Sequence, residues 1–262
     1  MTTETMPTRG SEAEPKDASG LPPVLELDRV TAGYLGDIDV LREVSMKVEA
    51  GRISGMIGLN GAGKSTVMKT ICGFLKPKSG SVRLDGEDIT GIAPHRLIDH
   101  AVWYIPQESS LFPYMSVEQN LRLPLDGRPA RFADTGARLD DTLNRFPVLR
   151  DKLRSAAGDL SGGQQKMLEF AKAYMVRPRL CLIDEPSIGL SPKVASEVFE
   201  WIRLFSASGM AILLVDHNVR RVVRMSDWVY VLSLGEITAS GRREDFQGDL
   251  HEQVREWLGI NF

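Results

Sequence analysis

The sequence predicts an α/β protein built on a doubly wound parallel sheet, and three segments carry that expectation. Gly58-Leu59-Asn60-Gly61-Ala62-Gly63-Lys64-Ser65-Thr66 fits the pattern G-x-x-x-x-G-K-[ST] at every fixed position. It lies between an apolar run, Ile53 to Ile57, that reads as a strand and a stretch, Val67 to Cys72, that reads as a helix stopped by Gly73. Leu180-Cys181-Leu182-Ile183 is a continuous apolar run suited to a strand buried on both faces, and it ends in Asp184 and Glu185. Ala211 to Val215 is a third run of the same kind.

A glycine turn between strand and helix aims backbone N–H groups inward, and the helix N-terminus adds its positive dipole end. That nest suits a polyphosphate. Lys64 would reach the β- and γ-phosphates, and the Ser65 hydroxyl would ligate Mg²⁺. An ordinary glycine-rich turn is the plain alternative, and the strand–turn–helix context weighs against it. Asp184 and Glu185 fall at the carboxyl end of their strand, where open α/β sheets bind ligands. There Asp184 can hold the metal, directly or through water, and Glu185 can orient and deprotonate an attacking water. Two carboxylates after a strand could instead cap a helix. Paired with the phosphate loop, the catalytic reading is the better one.

The other elements follow in chain order. Met1 to Pro23 is rich in Thr, Glu, Pro, Gly and Ser and is expected to be a disordered tail. Val24 to about Asp88 holds several strands, with Val40, Val44, Met46 and Val48 in alternation and a further strand over Gly80 to Asp85. From Ser109 to about Gly158 the pattern turns helical. Ser116-Val117-Glu118-Gln119 is a capping box, Leu139, Leu143 and Phe146 share one helix face, and Pro113, Pro124, Pro129 and Pro147 punctuate the stretch. Trp228 to Leu234 reads as a strand paired with Glu236 to Ser240 across a turn, and the last twenty residues as a short helix.

Composition bounds the function. The chain has 262 residues, 42% hydrophobic and 26% charged, enough for one sizeable core. A net charge of −3 shows no basic bias toward nucleic acid. Cys72 and Cys181 fall in a helix and a buried strand and read as apolar fillers, not a disulfide. No apolar run approaches the ~20 residues needed to cross a bilayer, and the N-terminus lacks a basic-then-apolar signal pattern. Any membrane role is expected to come through a partner.

A further segment narrows the reading. Leu160-Ser161-Gly162-Gly163-Gln164-Gln165-Lys166 opens a helix with apolar Met167, Leu168, Ala171, Tyr174 and Met175, and Ser161 reads as its N-cap. This second anion site lies about twenty residues before the carboxylates. Phosphate loop, then L-S-G-G-Q, then an apolar strand ending D-E, in that order from Val24 to Phe262, resembles the ATP-binding-cassette ATPases. The resemblance implies a RecA-like P-loop core with an antiparallel β subdomain and an inserted α-helical subdomain at about 109–158, all within an ATPase domain at 24–262. It implies ATP and Mg²⁺ as ligands. Asn60, Gly61, Ala62, Gly63, Lys64, Ser65 and Thr66 form the phosphate loop. Tyr34 stands where the family stacks an aromatic on adenine. Gln107, in Tyr104-Ile105-Pro106-Gln107, matches the glutamine that touches Mg²⁺ and water, so that Ser65, Gln107 and Asp184 form the metal set. Ser161, Gly162, Gly163 and Gln164 match the signature that binds the γ-phosphate of ATP held by the opposite subunit. His217 falls at the γ-phosphate-sensing histidine. Catalysis is thus assigned to Glu185, His217, Gln107 and Lys64.

Within that family, Asp184-Glu185-Pro186-Ser187-Ile188-Gly189-Leu190-Ser191-Pro192-Lys193 resembles the ATPases of branched-chain amino acid importers. So do Gly86 to Gly91 with Pro94-His95-Arg96, Leu111-Phe112-Pro113 with Ser116-Val117-Glu118, Arg145 to Leu149, and Trp257-Leu258-Gly259. One of the two ATPases of that system often carries Gln where this chain has His217. Val215-Asp216-His217-Asn218-Val219-Arg220 also resembles the ATPase of lipopolysaccharide export. Import of amino acids or amides ranks first and lipid export second. A soluble relative in DNA repair or translation is a third reading, and those usually carry a coiled-coil insertion or a second cassette that this chain lacks. The resemblance implies a second ATPase subunit, identical or related, and transmembrane permease subunits. It also implies an indirect periplasmic or extracellular binding protein, and a peripheral place on the cytoplasmic face of the inner or plasma membrane. Leu111, Phe112 and Tyr114 are candidate anchors for the membrane subunit, with packing of Phe112 into the subdomain as the alternative.

Overall fold

In the computed structural model, residues 22–34, 38–126 and 134–246 are described. Nearly all of the expected tail, together with Pro129 and the closing helix with its Trp257-Leu258-Gly259, lies outside the described residues. The chain begins with β1 (Leu25–Ala32) and β2 (Leu41–Val48), followed by β3 (Ile53–Ile57) and α1 (Lys64–Ile71). Next come β4 (Ser79–Leu84), β5 (Glu87–Asp88) and β6 (Val102–Ile105), then α2 (Val117–Arg122), α3 (Thr135–Arg145), α4 (Pro147–Arg150) and α5 (Gly162–Val176). The chain continues through β7 (Leu180–Asp184), α6 (Pro192–Ala207), β8 (Ala211–Val215), α7 (Val219–Met225), β9 (Trp228–Ser233) and β10 (Glu236–Arg242).

Two sheets result. One is antiparallel in the order β2-β1-β4-β5; the other has six strands in the order β10-β9-β3-β8-β7-β6. In the larger sheet β9, β3, β8, β7 and β6 run parallel and only β10 is antiparallel. Parallel strands need cover on both faces, and that is why β3, β7 and β8 are buried at every residue. Alternate side chains divide between the faces. Ile105, Cys181, Ile183, Ile212 and Leu214 join a core with Leu168, Phe170, Val198 and Phe205 of α5 and α6. Met56, Leu182, Leu213 and Val215 join the other core, with Val67, Met68 and Ile71 of α1 and the inner face of the antiparallel sheet.

The alternation expected from Val40 is corrected in the structure. The strand starts at Leu41, Val40 is half-buried outside it, and the pairing with β1 shifts between Val30 and Ala32. Glu43 absorbs the shift at φ 48. The extra residue of a bulge reverses parity, so that Leu41 rather than Val40 shares the buried face with Val44, Met46 and Val48. Both cysteines are buried and free. Burial, with the Asp184 charge, pushes the Cys72 thiol up to about 12.

Helices α2, α3 and α4 fall between β6 and α5. Ser116 and Gln119 form the expected capping box. Leu139, Leu143 and Phe146 are buried as expected, with Phe146 meeting Tyr174 and Trp201 edge-on at 5.9 and 5.6 Å. The segment from Gln107 into α2 is strapped down by buried polar side chains. Ser110 donates its N–H to Glu169 Oε1 at 2.8 Å and accepts from Lys172 Nζ at 3.0 Å. Lys166 pairs with Glu169 at 2.7 Å. Burial pulls the Lys172 ammonium down to about 8 against the opposing pull of Glu169. A lysine near neutrality keeps its donors, so the strap survives loss of the charge.

Asn120 of α2 holds the next few residues. Its Oδ1 accepts from Phe112 N–H at 2.9 Å, and its Nδ2 donates to the carbonyls of Phe112, Met115 and Ser116 at 3.0, 3.3 and 3.1 Å. The residue is fully buried. Asn120→Ala is expected to cost about 2 kcal/mol, the penalty for stranding buried backbone groups. Urea unfolding of the purified chain measures it, and amide exchange is expected to rise first over residues 112–116.

Candidate functional site

Four neighbouring strands end at one edge of the large sheet. Met56 of β3 pairs with Val215 of β8, Val215 pairs with Asp184 of β7, and Ile105 of β6 pairs with Ile183. This register sets the phosphate loop, Asp216-His217, Asp184-Glu185 and Pro106-Gln107 side by side, at the edge where open α/β sheets bind ligands.

The loop itself closes through Ala62, whose N–H donates to Leu59 O at 3.1 Å. Gly63 has φ 112, a backbone conformation that side-chain-bearing residues rarely adopt, and sits against Leu41. Asn60, Gly61 and Ser65 are exposed, whereas Ala62, Lys64 and Thr66 are buried. Lys64 Nζ donates to the carbonyls of Gly58 and Leu59 at 2.9 and 3.0 Å. Burial holds the Lys64 ammonium below its ordinary range, while the Glu185 and Asp184 carboxylates act in the opposite direction. Tyr34 is half exposed beside α1. Its hydroxyl lies 3.4 Å from Thr66 Oγ1 and Lys69 Nζ lies 5.3 Å from its ring centre, so one ring face remains available to a flat ligand.

Asp184 is buried, and Tyr104 donates to its Oδ2 at 3.3 Å. Its other oxygen, Oδ1, is buried without a hydrogen-bond partner. Burial and the adjacent Glu185 carboxylate raise its pKa, while the Tyr104 hydroxyl, Lys64 and the Ser65 hydroxyl lower it. An orphaned carboxylate oxygen beside an exposed serine hydroxyl fits a divalent cation. Among the described residues no group of three or more His, Cys, Asp or Glu is placed to hold a metal. That suits Mg²⁺, which takes one or two protein ligands and completes its shell with phosphate and water.

Glu185 stands at φ 46, in the left-handed region, and donates its N–H to Val215 O at 2.8 Å. His217 and Gln107 are exposed at the ends of β8 and β6. The expected catalytic and metal residues thus converge on one edge. Ser161, Gly162, Gly163 and Gln164 do not join them: no hydrogen bond or ion pair links them to residues 58–66 among the described residues. They open α5, where Ser161 and Gln164 form a reciprocal capping box at 3.4 and 3.0 Å. Gly163 packs on Val194, so that an added Cβ would come within 3.0 Å of it. Gly162 has neither a positive φ nor any atom within 4 Å of an added Cβ.

Two residues of this edge escaped the sequence reading. Tyr104 shares parity with Leu182 and Asp184 across the β6–β7 pair, and that parity was the available signal. Asp216 is fully buried beneath His217, and its signal was a charged residue directly after a five-residue apolar run.

The chain matches the ABC transporter family model over residues 41–188. It is 36% identical to the high-affinity branched-chain amino acid transport ATP-binding protein BraG of Pseudomonas aeruginosa, across 82% of this chain and 91% of that one. It is 33% identical to the lipopolysaccharide export system ATP-binding protein LptB of Haemophilus influenzae, across 85% and 92%. Among solved structures, the ADP conformation of an ATP-binding cassette of an ABC transporter superposes with a TM-score of 0.78 at 29% identity, covering 91% of this chain and 99% of that one. A nucleotide-free cassette gives 0.77 at 29% identity, covering 92% and 100%. A family model spanning more than half of the chain, relatives matched along most of their length and a shared fold lead to one conclusion: the chain belongs to the ABC transporter family and is one of its ATP-hydrolysing subunits.

Proposed function

We propose that this ATPase energises a membrane permease that imports branched-chain amino acids or related amides, and that it works as a pair of cassettes. Convergence of Lys64, Ser65, Asp184, Glu185, Gln107 and His217 on one sheet edge carries the chemical part of the reading. Tyr34 stacks on the adenine of ATP. Lys64 leaves the carbonyls of Gly58 and Leu59 for the β- and γ-phosphates, joined by the loop amides from Asn60 to Thr66. Ser65, Gln107 and Asp184 would hold Mg²⁺, which would supply charge neutralisation at the phosphates. Glu185 orients the attacking water and accepts its proton, and His217 holds the γ-phosphate. Glu185→Gln keeps the shape and loses the base. ATP is expected still to bind while hydrolysis falls by ~10²–10⁴-fold, measured as phosphate release with the partner subunits present. Near-native turnover would remove Glu185 from this role.

The pairing is supported by Gly162. Nothing among the described residues requires a glycine there, since an added Cβ would meet none of their atoms within 4 Å. A second subunit, whose ATP lies against Ser161 to Gln164, supplies the missing constraint. Gly162→Ala is expected to leave folding and ATP binding by the isolated chain intact while abolishing ATP-driven dimerisation and cooperative hydrolysis. Sedimentation with non-hydrolysed nucleotide reads the first effect. A parallel loss of ATP affinity in the monomer would refute the trans assignment.

The substrate reading rests on the likeness to the importer ATPases, including a 34% identical probable branched-chain amino acid transport ATP-binding protein, LivF, of Archaeoglobus fulgidus. The export reading has its own support in Val215-Asp216-His217-Asn218-Val219-Arg220. Among the described residues no helix is long and apolar enough to cross a membrane, so either reading requires permease subunits, with the chain held peripherally at the cytoplasmic face. Of the three candidate anchors, Leu111 packs against the core, Phe112 is half exposed near Lys172, and Tyr114 is 98% exposed. Tyr114 is therefore the docking side chain of choice, presented by the Asn120-held segment. Cells lacking the chain are expected to lose uptake of leucine, isoleucine and valine. The Tyr114→Glu variant is expected not to restore uptake and not to co-purify with membrane subunits, although it binds ATP. Intact uptake with lipopolysaccharide missing from the cell surface would transfer the assignment to export.

A further inference from the structure

Asp216 is a buried charged side chain that the mechanism above does not use. Its side chain has no solvent exposure. Oδ1 accepts from Asn218 N–H at 2.9 Å and lies 3.3 Å from His217 Nδ1. Oδ2 accepts from Ser187 Oγ at 2.8 Å and from Ser187 N–H at 3.3 Å. One carboxylate therefore serves two loops. One oxygen belongs to the turn after β8 that carries His217, and the other to the turn after β7 that carries Glu185 two residues before Ser187. A local turn would account for the contact with Asn218 alone. It does not account for the imidazole or for the two donors of Ser187.

We propose that Asp216 is a positioning residue that holds His217 as the Nδ1–H tautomer, with Nε2 facing outward, and ties it to the Ser187 loop so that Glu185 and His217 move as one unit. The tautomer follows from charge matching across the 3.3 Å contact. A carboxylate only accepts, so the ring nitrogen beside it carries the proton and the far nitrogen keeps its lone pair for the solvent side. His217 is 55% exposed at its side chain, leaving that far edge open to a ligand. The link follows from burial. Removing Asp216 strands Ser187 N–H and Asn218 N–H together and frees both loops. Ile188, the next residue after Ser187, is exposed. A second cassette pressing on that loop would therefore reach His217 through Asp216.

The inference rests on the assignment of His217 to the γ-phosphate, and its first test needs no nucleotide. Two-bond ¹H–¹⁵N spectra of the full chain at about pH 9, where imidazoles are neutral, are expected to show His217 as the Nδ1–H form. An Nε2–H form in the native protein would overturn the proposal. In Asp216→Ala the tautomer is expected to revert to Nε2–H, and amide exchange at Ser187 and Asn218 to quicken by about tenfold or more. Should Asp216→Ala fail to fold, Ser187→Ala carries the linking half. It is expected to leave the His217 tautomer in place and quicken exchange over residues 188–190. It is also expected to lower kcat by about tenfold with KM for ATP little changed, the signature of misplacement and not of lost binding. Unchanged exchange and unchanged kcat in Ser187→Ala would overturn the link. A native Nδ1–H tautomer together with full turnover in His217→Ala would uphold the Asp216 contact and remove His217 from catalysis.

Discussion

The arrangement depends on one constraint, the parallel pairing of β3, β8, β7 and β6. Parallel strands share a direction, so everything that follows their carboxyl ends gathers at one edge. Antiparallel strands would have sent Lys64 and Glu185 to opposite ends of the sheet. The cost of the parallel arrangement is burial on both faces, met here by α1 and the small antiparallel sheet on one side and α5 and α6 on the other. The two hydrophobic cores are thus the condition under which a lysine, two carboxylates and a histidine can be held within reach of one substrate.

The same burial sets the electrostatics. Desolvation acts on Lys64 and Asp184 in opposite senses, and each partly restores the other. Without nucleotide, Lys64 satisfies itself on two loop carbonyls and Asp184 Oδ1 has no partner. The loop itself thus satisfies the lysine, while one buried carboxylate oxygen of Asp184 keeps its accepting capacity unused. The strap from Ser110 to Glu169 and Lys172 extends this economy outward, because it fastens the segment after Gln107 to the helix that begins at Ser161. A shift of α5 cannot leave that segment behind without exposing a buried ion pair.

Much of this was legible in the residues. β8 and the first four residues of β7 announced themselves as unbroken apolar runs, and β3 as a run interrupted only by Ser54 and Gly55, since full burial leaves little polar alternation to confuse them. The capping box at Ser116 and the N-cap at Ser161 were legible because their partners lie within four residues. Less local features were hidden. The bulge at Glu43 moved the buried face from Val40 to Leu41, and no pattern within β2 reports a register shift against β1. Tyr104 and Asp216 take their long-range partners, Asp184 and Ser187, from distant segments, information that a single chain segment does not hold. Leu111 looked like an anchor in sequence and packs inward, while Tyr114 three residues later stands free. A loop's apolar residues sort themselves by tertiary contact, not by type.

Glu185, directly after β7, stands at φ 46, a conformation that costs a side-chain-bearing residue about 1–2 kcal/mol. Glycine would relieve that cost and remove the carboxylate with it. Under the role proposed for Glu185, selection for thermal robustness and selection for turnover pull in opposite directions at this position. Thermostabilising redesign of this enzyme has to leave that strain where it is and draw its gains from the helices and the outer face of the antiparallel sheet.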